Sequence, residues 1–485
     1  MEDTIKGLTF SMDAIWVLIA GFLVFFMQAG FALVETGFTR KKNAAHTMLM
    51  NMMVFCIGAI GYWICGFAFQ FGGVNHTYAD KWSFAPITLG DFGPLSSQLM
   101  VGNSGVLGLS GFFLAGLGGN VGLLAFFLFQ MVFMDTAATI PTGSGAERLK
   151  FSAFVVMSLW VSMLMYPLIG NWVWGGGWLQ NLGRSLGLGH GAVDFAGSGV
   201  VHTVGGAVGL AIALVLGPRI GKFNKDGSAN TIPGHNIPMG VLGTIILFFG
   251  WFGFNPGSSL GITGTGISLV GLAAVNTLMA GAAGGVSAMT YMWLVGPSKK
   301  PDPGMSVNGI LAGLVAITAP CAFVDSVAAV IIGLVAGVLV CLATVWLERA
   351  KIDDPVGAVP VHLFNGIWGV IAVGLFANGN PNTKGWNGAL PNTGVTGLLY
   401  GDAGQLAAQA LEAVTVAVVV ITLSYAFFKV LDAIMGLRVS RDVEIGGLDI
   451  PEMGTVGYPD DFVADDETVE VPGTARGSLP SSATA

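Results

Sequence analysis

The chain has 485 residues, of which 53% are hydrophobic and only 10% are charged, and its mean hydropathy is +0.73. Soluble domains carry about 25% charged residues, so this composition excludes a soluble globular protein and indicates a membrane protein. The net charge of -8 comes mostly from an acidic segment near residues 460–470, and the four cysteines form neither a metal-spaced cluster nor an obvious disulfide framework.

Apolar stretches follow one another from close to the N-terminus to about residue 434. Most of them are long enough to cross a hydrocarbon core of roughly 30 Å as helices. The first is too long for the core of a signal peptide, so we expect it to be retained. The sequence predicts an all-α polytopic membrane protein of about eleven transmembrane helices, with spans at 12–36, 47–71, 121–144, 150–170, 199–217, 238–257, 266–294, 306–320, 326–347, 359–377 and 404–434.

Segment 72–120 mixes glycine and proline turn signals with a short apolar run from Val106 to Leu117. We interpret it as an external loop with a possible re-entrant or surface helix. If the run crossed the membrane instead, every later loop would change sides and the charge asymmetry described next would collapse.

The positive charges of the loops fall mainly on one side of this topology. That side holds Arg40, Lys41, Lys42, Arg148, Lys150, Arg219, Lys222, Lys225, Lys299, Lys300, Arg349 and Lys351, and the other holds Lys81, Arg184 and Lys384. Because Lys and Arg stay on the cytoplasmic side, we expect a multi-pass protein of the cell inner (plasma) membrane with its N-terminus outside and its C-terminus in the cytoplasm. Residues 1–435 would form the transmembrane domain, and 436–485 a cytoplasmic tail that is disordered toward its end.

One motif occurs at the start of the fifth predicted helix and again at the start of the tenth. Asp194 to His202 and Asp354 to His362 both read D-x-x-G-x-x-x-V-H. Since five helices separate the copies, they run in opposite directions, which predicts a five-plus-five inverted repeat plus a final helix. Asp is a favoured N-cap, and eight residues at about 1.5 Å each place each histidine roughly 12 Å into its helix. The repeat therefore directs His202 and His362 toward one another near the midplane.

A single buried histidine is more often structural than functional, since it can simply bond a neighbouring helix. Ionisable residues at membrane depth are costly and usually mark a substrate or proton path. Two histidines related by an inverted repeat therefore favour a functional pair in a pore. Capping alone explains Asp194 equally well, and we interpret Asp354 as a cap.

These residues resemble the ammonium transporter, methylammonium permease and Rhesus protein family, in its bacterial type. The segment Asp194–His202 is similar to the family signature in helix 5, and His362 is similar to the second member of the twin-histidine pair. Other similar motifs follow in family order over nearly the whole ordered chain, namely Phe129-Gln-Met-Val-Phe133, Ala146-Glu-Arg148, Trp172-Val-Trp174-Gly-Gly-Gly177 and Gly250-Trp-Phe-Gly-Phe-Asn255-Pro-Gly-Ser258. Each motif is moderately specific, and all of them in order are highly specific.

The resemblance implies a homotrimer that transports ammonium, with one pore in each subunit, no cofactor, no metal and no enzymatic activity. It also assigns roles to individual residues. The substrate-binding residues would be Phe129, Trp174, Ser258 and Asp194, the gate would be Phe133 and Phe254, and the pore would be lined by His202 and His362.

The chemistry of these residues suits ammonium. Aromatic faces and a hydroxyl acceptor can hold an ammonium ion that is losing its water. An apolar pore below the gate favours neutral ammonia, because burying an unpaired charge is costly, so deprotonation is expected at the entrance. The sequence leaves open whether the released proton follows the ammonia.

Three features depart from the family pattern. Asp135 stands where many members have a small apolar residue, and we slightly favour a structural bond to a neighbouring helix over an effect on the vestibule. Pro256 lies inside the helix-6 motif, where it puts the position of Ser258 in question. The long insertion at 72–120 would cover the external mouth or a trimer contact.

The tail carries Gly446-Gly-Leu-Asp-Ile450, Met453-Gly and Tyr458, which resemble the cytoplasmic C-terminal motif of the family. That resemblance implies a PII-type signal protein as a further partner. Three other functions remain open: an ammonium sensor of the same fold that signals through a partner, a Rhesus-like protein, and an intramembrane metalloenzyme. The tail is too short for a signalling domain, and no side chain near the two histidines completes a metal site.

Overall fold

Eleven apolar helices form one bundle in the part of the chain that the computed structural model describes, residues 1–74, 93–102 and 104–459. Ten are long and apolar enough to cross a membrane, and the eleventh, α8, has 16 residues. The helices are α1 Glu2–Phe38, α2 Lys41–Phe71, α3 Val121–Gly145, α4 Phe151–Val173, α5 Ser198–Leu216, α6 Ile237–Ser259, α7 Gly266–Leu294, α8 Pro303–Thr318, α9 Ser326–Arg349, α10 Val359–Phe376 and α11 Ala403–Met435. The predicted all-α polytopic fold is confirmed.

The two repeats comprise helices α1–α5 and α6–α10. They pack against each other through the first helix of each repeat, α1 and α6. Helix α1 lies along α6 through glycines, because an added Cβ at Gly30 would lie 2.9 Å from the carbonyl oxygen of Gly243. One at Gly37 would lie 2.7 Å from the amide nitrogen of Gly240. Small residues of this kind let backbones approach closely where no hydrophobic force drives helices together in lipid.

The insertion between α2 and α3 contains a short hairpin. Strands β1 Gln98–Val101 and β2 Ser104–Gly108 pair antiparallel, and a single 3-10 turn follows at Phe112–Leu114. The apolar run that we considered as a span begins in β2. Residues 75–92, with Lys81, lie outside the described residues, and part of the prediction for 72–120 falls on them.

One end of the bundle, which we call the basic face, is held by buried ion pairs between helix ends. Arg219 Nε lies 2.8 Å from Asp353 Oδ2, and Arg219 Nη1 lies 3.2 Å from Glu147 Oε2. Arg40 Nε donates to the same Glu147 oxygen at 2.7 Å. Arg148 donates to three carbonyl oxygens, including that of Asp353 at 2.9 Å. The network ties the ends of α1, α3 and α5 to the segment before α10.

Electrostatics at the basic face favour charged carboxylates. Burial alone would raise the pKa of Asp353, but the hydrogen bonds and charge of Arg219 outweigh burial and lower the pKa to about 2. The pKa of Glu147 is likewise lowered by Arg219 and Arg40 against the effect of burial. The network is therefore ionised at neutral pH.

The start of the tail packs on the basic face. After α12, Arg441–Gly446, the carboxylate of Asp449 accepts from the backbone N–H groups of His46 at 2.9 Å and Ala45 at 3.1 Å. Glu452 accepts from Phe151 N at 2.9 Å. Both acids thereby satisfy orphan donors at the first turns of α2 and α4. The predicted disorder falls on residues 460–485, which lie outside the described residues.

Candidate functional site: a buried file of aromatic rings and imidazoles

Both copies of the repeated motif form a single turn of π-helix at the start of a membrane helix. His202 lies in the turn Ser198–Thr203 that opens α5, and His362 lies in Val359–Phe364 that opens α10. At each turn a side chain donates a hydrogen bond to the backbone carbonyl oxygen five residues earlier in the chain. Thr203 Oγ1 donates to Ser198 O and Asn365 Nδ2 donates to Pro360 O, both at 2.9 Å. Single π-turns inside helices are rare and often lie at functional sites.

The two imidazoles are in direct contact. Nδ1 of His202 lies 3.2 Å from Nδ1 of His362, and the ring centroids are 5.2 Å apart with an interplanar angle of 28°. Both side chains are buried. A contact between two Nδ1 atoms needs one donor and one acceptor, so a neutral pair shares one hydrogen there.

The aspartates that open the two motifs are helix caps. The carboxylate of Asp194 accepts from the four backbone N–H groups of residues 197–200 at 2.8–3.0 Å. Asp354 accepts from Val359 N at 2.7 Å and from Ser144 Oγ at 3.2 Å. The carbonyl oxygen of Asp194 also accepts from Trp174 Nε1 at 2.7 Å. Asp194 thus fixes both the π-turn that carries His202 and the indole beside it.

A stack of rings adjoins the histidine pair. The rings of Phe133 and Phe254 are stacked, with centroids 4.0 Å apart and an interplanar angle of 20°. The Phe254 ring is 5.5 Å from the His202 ring, and the Phe31 ring is 6.3 Å from the His362 ring. Phenylalanines therefore cover the pair on both sides, and an ion crossing here would lose its water.

The three remaining predicted residues gather on the other side of this stack. Phe129 is 4.5 Å from Phe133 and Trp174 is 6.4 Å from it, measured between ring centroids. Ser258 lies in the 3-10 turn Pro256–Ser259, where its Oγ donates to Phe254 O at 2.9 Å and keeps its lone pairs for another donor. An added Cβ at Gly257 would lie 3.0 Å from the Phe129 ring, so this turn packs on Phe129.

Asp135 lies off this file. Its side chain is buried, and Oδ1 has no hydrogen-bond partner among the described residues. Thr139, one turn further on the same face of α3, donates to Gln28 of α1 at 3.1 Å. The face that carries Asp135 and Thr139 thus turns toward α1, and the stacked rings occupy another face of α3.

Sequence reasoning missed two supports of the histidine pair. The indole of Trp251 stacks on His202 with centroids 5.3 Å apart, and its Nε1 donates to Thr318 Oγ1 at 3.0 Å. Gly206 and Gly366, each four residues after a histidine, meet the backbone of the opposite motif: an added Cβ would overlap Leu363 N in one case and Ser198 O in the other. The signal was available, because both copies of the repeat read H-x-x-x-G.

A bundle of eleven apolar helices that buries such a file of rings and imidazoles is the architecture of a membrane transport protein, in which the interior rather than the surface meets the substrate. The Ammonium Transporter Family model matches residues 15–458. The chain belongs to this family of ammonium transporters and is not an enzyme.

Individual relatives agree with this membership. The chain is 45% identical over 450 residues to the ammonium transporter Amt2 of Archaeoglobus fulgidus, covering 92% of this chain and 88% of the relative. Among solved structures it is similar to a sensor Amt protein, with TM-score 0.78, 36% identity and coverage of 93% of this chain and all of the other. It is also similar to Mep2 of Candida albicans, with TM-score 0.72, 27% identity and coverage of 89% and 87%.

Proposed function

We propose that the protein moves ammonium across the membrane by binding the ion at the aromatic site, deprotonating it and passing ammonia along the histidine pair. The observation that carries this proposal is the unbroken file of contacts from Trp174 and Phe129, through Phe133 and Phe254, to His202 and His362. Every member of the file is buried in the bundle.

Binding would take place at Phe129, Trp174 and Ser258. The aromatic faces attract a cation through cation-π interaction, and the Ser258 hydroxyl accepts one of its N–H bonds. Among the described residues, the carboxylate at this site is that of Asp194, and it is engaged with four backbone N–H groups, so it would not neutralise the ion fully. Asp194 would contribute by its charge and by holding the indole of Trp174.

Deprotonation would precede passage between Phe133 and Phe254. Two rings with centroids 4.0 Å apart leave no room for a hydrated ion, so the rings must part and the substrate must pass without its water shell. Stripping water from an unpaired ion in an apolar site costs far more than doing so from neutral ammonia. The histidine pair then offers ammonia a donor and an acceptor in an otherwise apolar stretch.

Currents in proteoliposomes test the proposal directly. An ammonium concentration jump is applied at several protein densities to the natural protein and to the His202→Ala, His362→Ala double variant. If the released proton crosses together with the ammonia, we expect a current that decays faster as density rises, that is absent for potassium and that is altered in the double variant. If the decay ignored density, the signal would be binding alone. If no current appeared while ammonium was still taken up, conduction of neutral ammonia would replace charge transport.

A sensor of the same fold is the second candidate function. The similarity to a sensor Amt protein over 93% of this chain is the observation that favours it. A sensor binds ammonium without turnover, so the density dependence of the current separates the two candidates. In that case the signal would pass through a separate partner at the basic face.

We propose a homotrimer as the working form. Helix α1 turns outward a continuous apolar stripe with alternating spacings of three and four residues, which is the spacing of one helix face and would suit a seam with a neighbouring copy. The stripe consists of Ile5, Leu8, Met12, Ile15, Ile19, Phe22 and Phe26, each at least 46% exposed.

The membrane orientation and a PII-type partner complete the proposal. The basic face would lie in the cytoplasm of a cell inner membrane, because many of the loop cations gather there and cytoplasmic loops retain Lys and Arg. A groove at that face is lined by Lys41, Lys42 and tail residues that include Asp449 and Tyr458. A PII-type signal protein would dock beside this groove, where it meets both the tail and the loop between α1 and α2.

A further inference from the structure

A carboxyl group of α1 that the transport file does not use lies beside His362. Glu35 is 3% exposed, and it shares a small cavity with His362 on the basic-face side of the histidine pair. The other walls of the cavity come from α1, α3, α6, α8 and the segment before α10, including Phe31, Ile140, Asn308 and Val356. Ammonia that has passed His362 would enter this cavity next.

The hydrogen bonds around Glu35 fit a neutral carboxyl group. Asn51 Nδ2 donates to Oε2 at 2.9 Å, and Thr142 Oγ1 lies 2.9 Å from both carboxyl oxygens. Thr142 Oγ1 also lies 2.5 Å from Thr139 O. The Thr142 hydroxyl has one hydrogen. When it donates this hydrogen to Thr139 O, its contact with Glu35 requires a proton on the carboxyl group that donates to Thr142 Oγ1.

Among the described residues Glu35 has no counter-ion, unlike the buried acid Glu147, which follows the end of α3. Glu147 is held by Arg40 and Arg219, whereas Glu35 forms no ion pair in the described part of the chain. A buried carboxylate that serves only stability is expected to be paired with a cation or to cap a helix, as Asp353 and Asp354 do. Glu35 has neither arrangement in the described part of the chain, which is consistent with a carboxyl group that exchanges a proton.

Other titratable groups on the helices and segments packed around Glu35 are few. His362 shares its cavity, and Asp354 adds negative charge from the segment before α10. Asp135 lies on α3, two turns from Thr142, and His46 lies on α2, five residues before Asn51. The sequences of α6 and α8 contain no titratable side chain.

We propose that Glu35 is a proton-exchanging residue at the inner end of the path, an inference that rests on the proposed function. The protonated carboxyl donates to the lone pair of ammonia. Its O–H bond breaks and an N–H bond forms, which yields ammonium and the Glu35 carboxylate. Asn51 and Thr142 stabilise that carboxylate by donating to it. A hydronium ion from the adjoining solution then returns the proton and leaves water.

The test compares Glu35→Gln and Glu35→Asp with the natural protein in proteoliposomes. The amide of the Gln variant preserves the bonds to Asn51 and Thr142 but exchanges no proton. Initial ammonium transport is measured from about pH 5 to 9 with equal pH on both sides, since reconstituted copies face both ways, and with constant ammonium ion concentration. Asp135→Asn serves as the matched control, because this buried carboxyl lies outside the cavity.

For the natural protein we expect transport to depend on pH through Glu35, because its proton is needed where ammonium leaves at this end and its carboxylate is needed where ammonium enters here. Glu35→Gln should be slower by about tenfold or more and lose that pH dependence, whereas Asp135→Asn should keep it. Glu35→Asp should retain a pH dependence with a displaced midpoint, which decides the matter if the Gln variant does not fold.

A Glu35→Gln protein with the natural rate and pH profile would overturn the inference. So would one that is slower but keeps the natural profile, because that combination marks a structural role. If the natural protein itself transports no ammonium, the proposed function fails instead, and the two failures are thereby distinguished.

Discussion

The His202 imidazole is enclosed by three rings, those of Trp251, Phe254 and His362, which lie 5.2–5.5 Å away between centroids. Its Nε2 has no partner among the described residues. Within the described part of the chain, the polar contact of this ring is therefore the one with the second histidine. The histidine pair is therefore held by ring packing, and His202 Nε2 is left available to a small polar molecule.

At the proposed binding site, Trp174 is the residue to test. Replacing it with Leu removes the indole face and the bond to Asp194 O, and we expect the ammonium concentration for half-maximal current to rise about 2- to 30-fold. The concentration dependence of the current measures this. Trp178→Leu is the control, since its ring packs on Trp172 outside the file. An unchanged half-maximal concentration in the Trp174 variant would contradict the proposed binding site.

Among the charged residues, Asp353 allows the clearest prediction about stability. Asp353→Asn leaves the Arg219 guanidinium buried with one weaker partner, so at neutral pH we expect the free energy of unfolding to fall by about 3–5 kcal/mol. The folded-state pKa of about 2 lies below the unfolded value of about 3.9, so the natural pair stabilises above pH 4 and loses this effect as pH falls toward 2.

Melting temperatures of the detergent-solubilised protein at about pH 7 and pH 3 check this prediction. The difference between the natural protein and Asp353→Asn should shrink at the lower pH. Asp226→Asn, in an exposed loop, is expected to change neither value. An equal difference at both pH values would mean that the ion pair does not stabilise the fold.

On the scale of elements, the crossing of α5 and α10 brings the histidines together. Each helix opens with a π-turn, and each carries a glycine four residues after its histidine that accommodates the backbone of the other. The Asp cap, the π-turn and the glycine occur in both copies of the motif, so each helix contributes the same local structure to the crossing. A small change at either glycine should therefore reach the pair.

Gly206→Ala tests the crossing. The new methyl overlaps Leu363 N, so the helices must separate, and we expect a loss of about 1–3 kcal/mol in stability together with loss of most transport. Thermal melting and proteoliposome currents measure the two effects. Gly271→Ala is the matched control, because its Cβ meets no atom within 4 Å. If Gly206→Ala transports normally, the close crossing is not needed for function.

The sequence allowed the elements to be predicted well and their contacts less well. Helices were predictable because lipid leaves a chain few alternatives to apolar helices, and the repeat indicated that His202 and His362 would approach one another, as they do. Gly206 and Gly366 were missed because glycine is common in this chain, at 74 residues. Glu35 was missed because its partners, Asn51 and Thr142, come from other helices. The strands at 98–108 are too short to give a clear period.

For the whole molecule, the outward apolar stripe of α1 is a face that the single bundle leaves uncovered. Its spacing from Ile5 to Phe26 is that of one side of a helix. In a trimer this face would form a seam with neighbouring copies. This contact belongs to the proposed trimer.

Replacing Ile15, Ile19 and Phe22 together with Ala tests the seam. We expect the trimer to dissociate at a lower detergent or denaturant concentration than the natural protein, because each truncation removes roughly 1–3 kcal/mol of packing per subunit. Native mass spectrometry of the 50.1 kDa chain measures the assembly. The control replaces Val414, Val418 and Val430 on α11, which are exposed to a similar degree. Equal loss of assembly in both would place the interface elsewhere.

The inverted repeat also bears on the direction of flow. The histidine pair is made of two copies of one motif related by inversion, so a molecule that approaches from either end meets a similar arrangement of side chains. Such a centre does not favour one direction of transport, so the net flow of substrate through it follows the concentration gradient of the substrate. Any difference in rate between the two directions would come from the unequal ends, with Trp174 and Ser258 at one end of the file and Glu35 with Asp354 at the other.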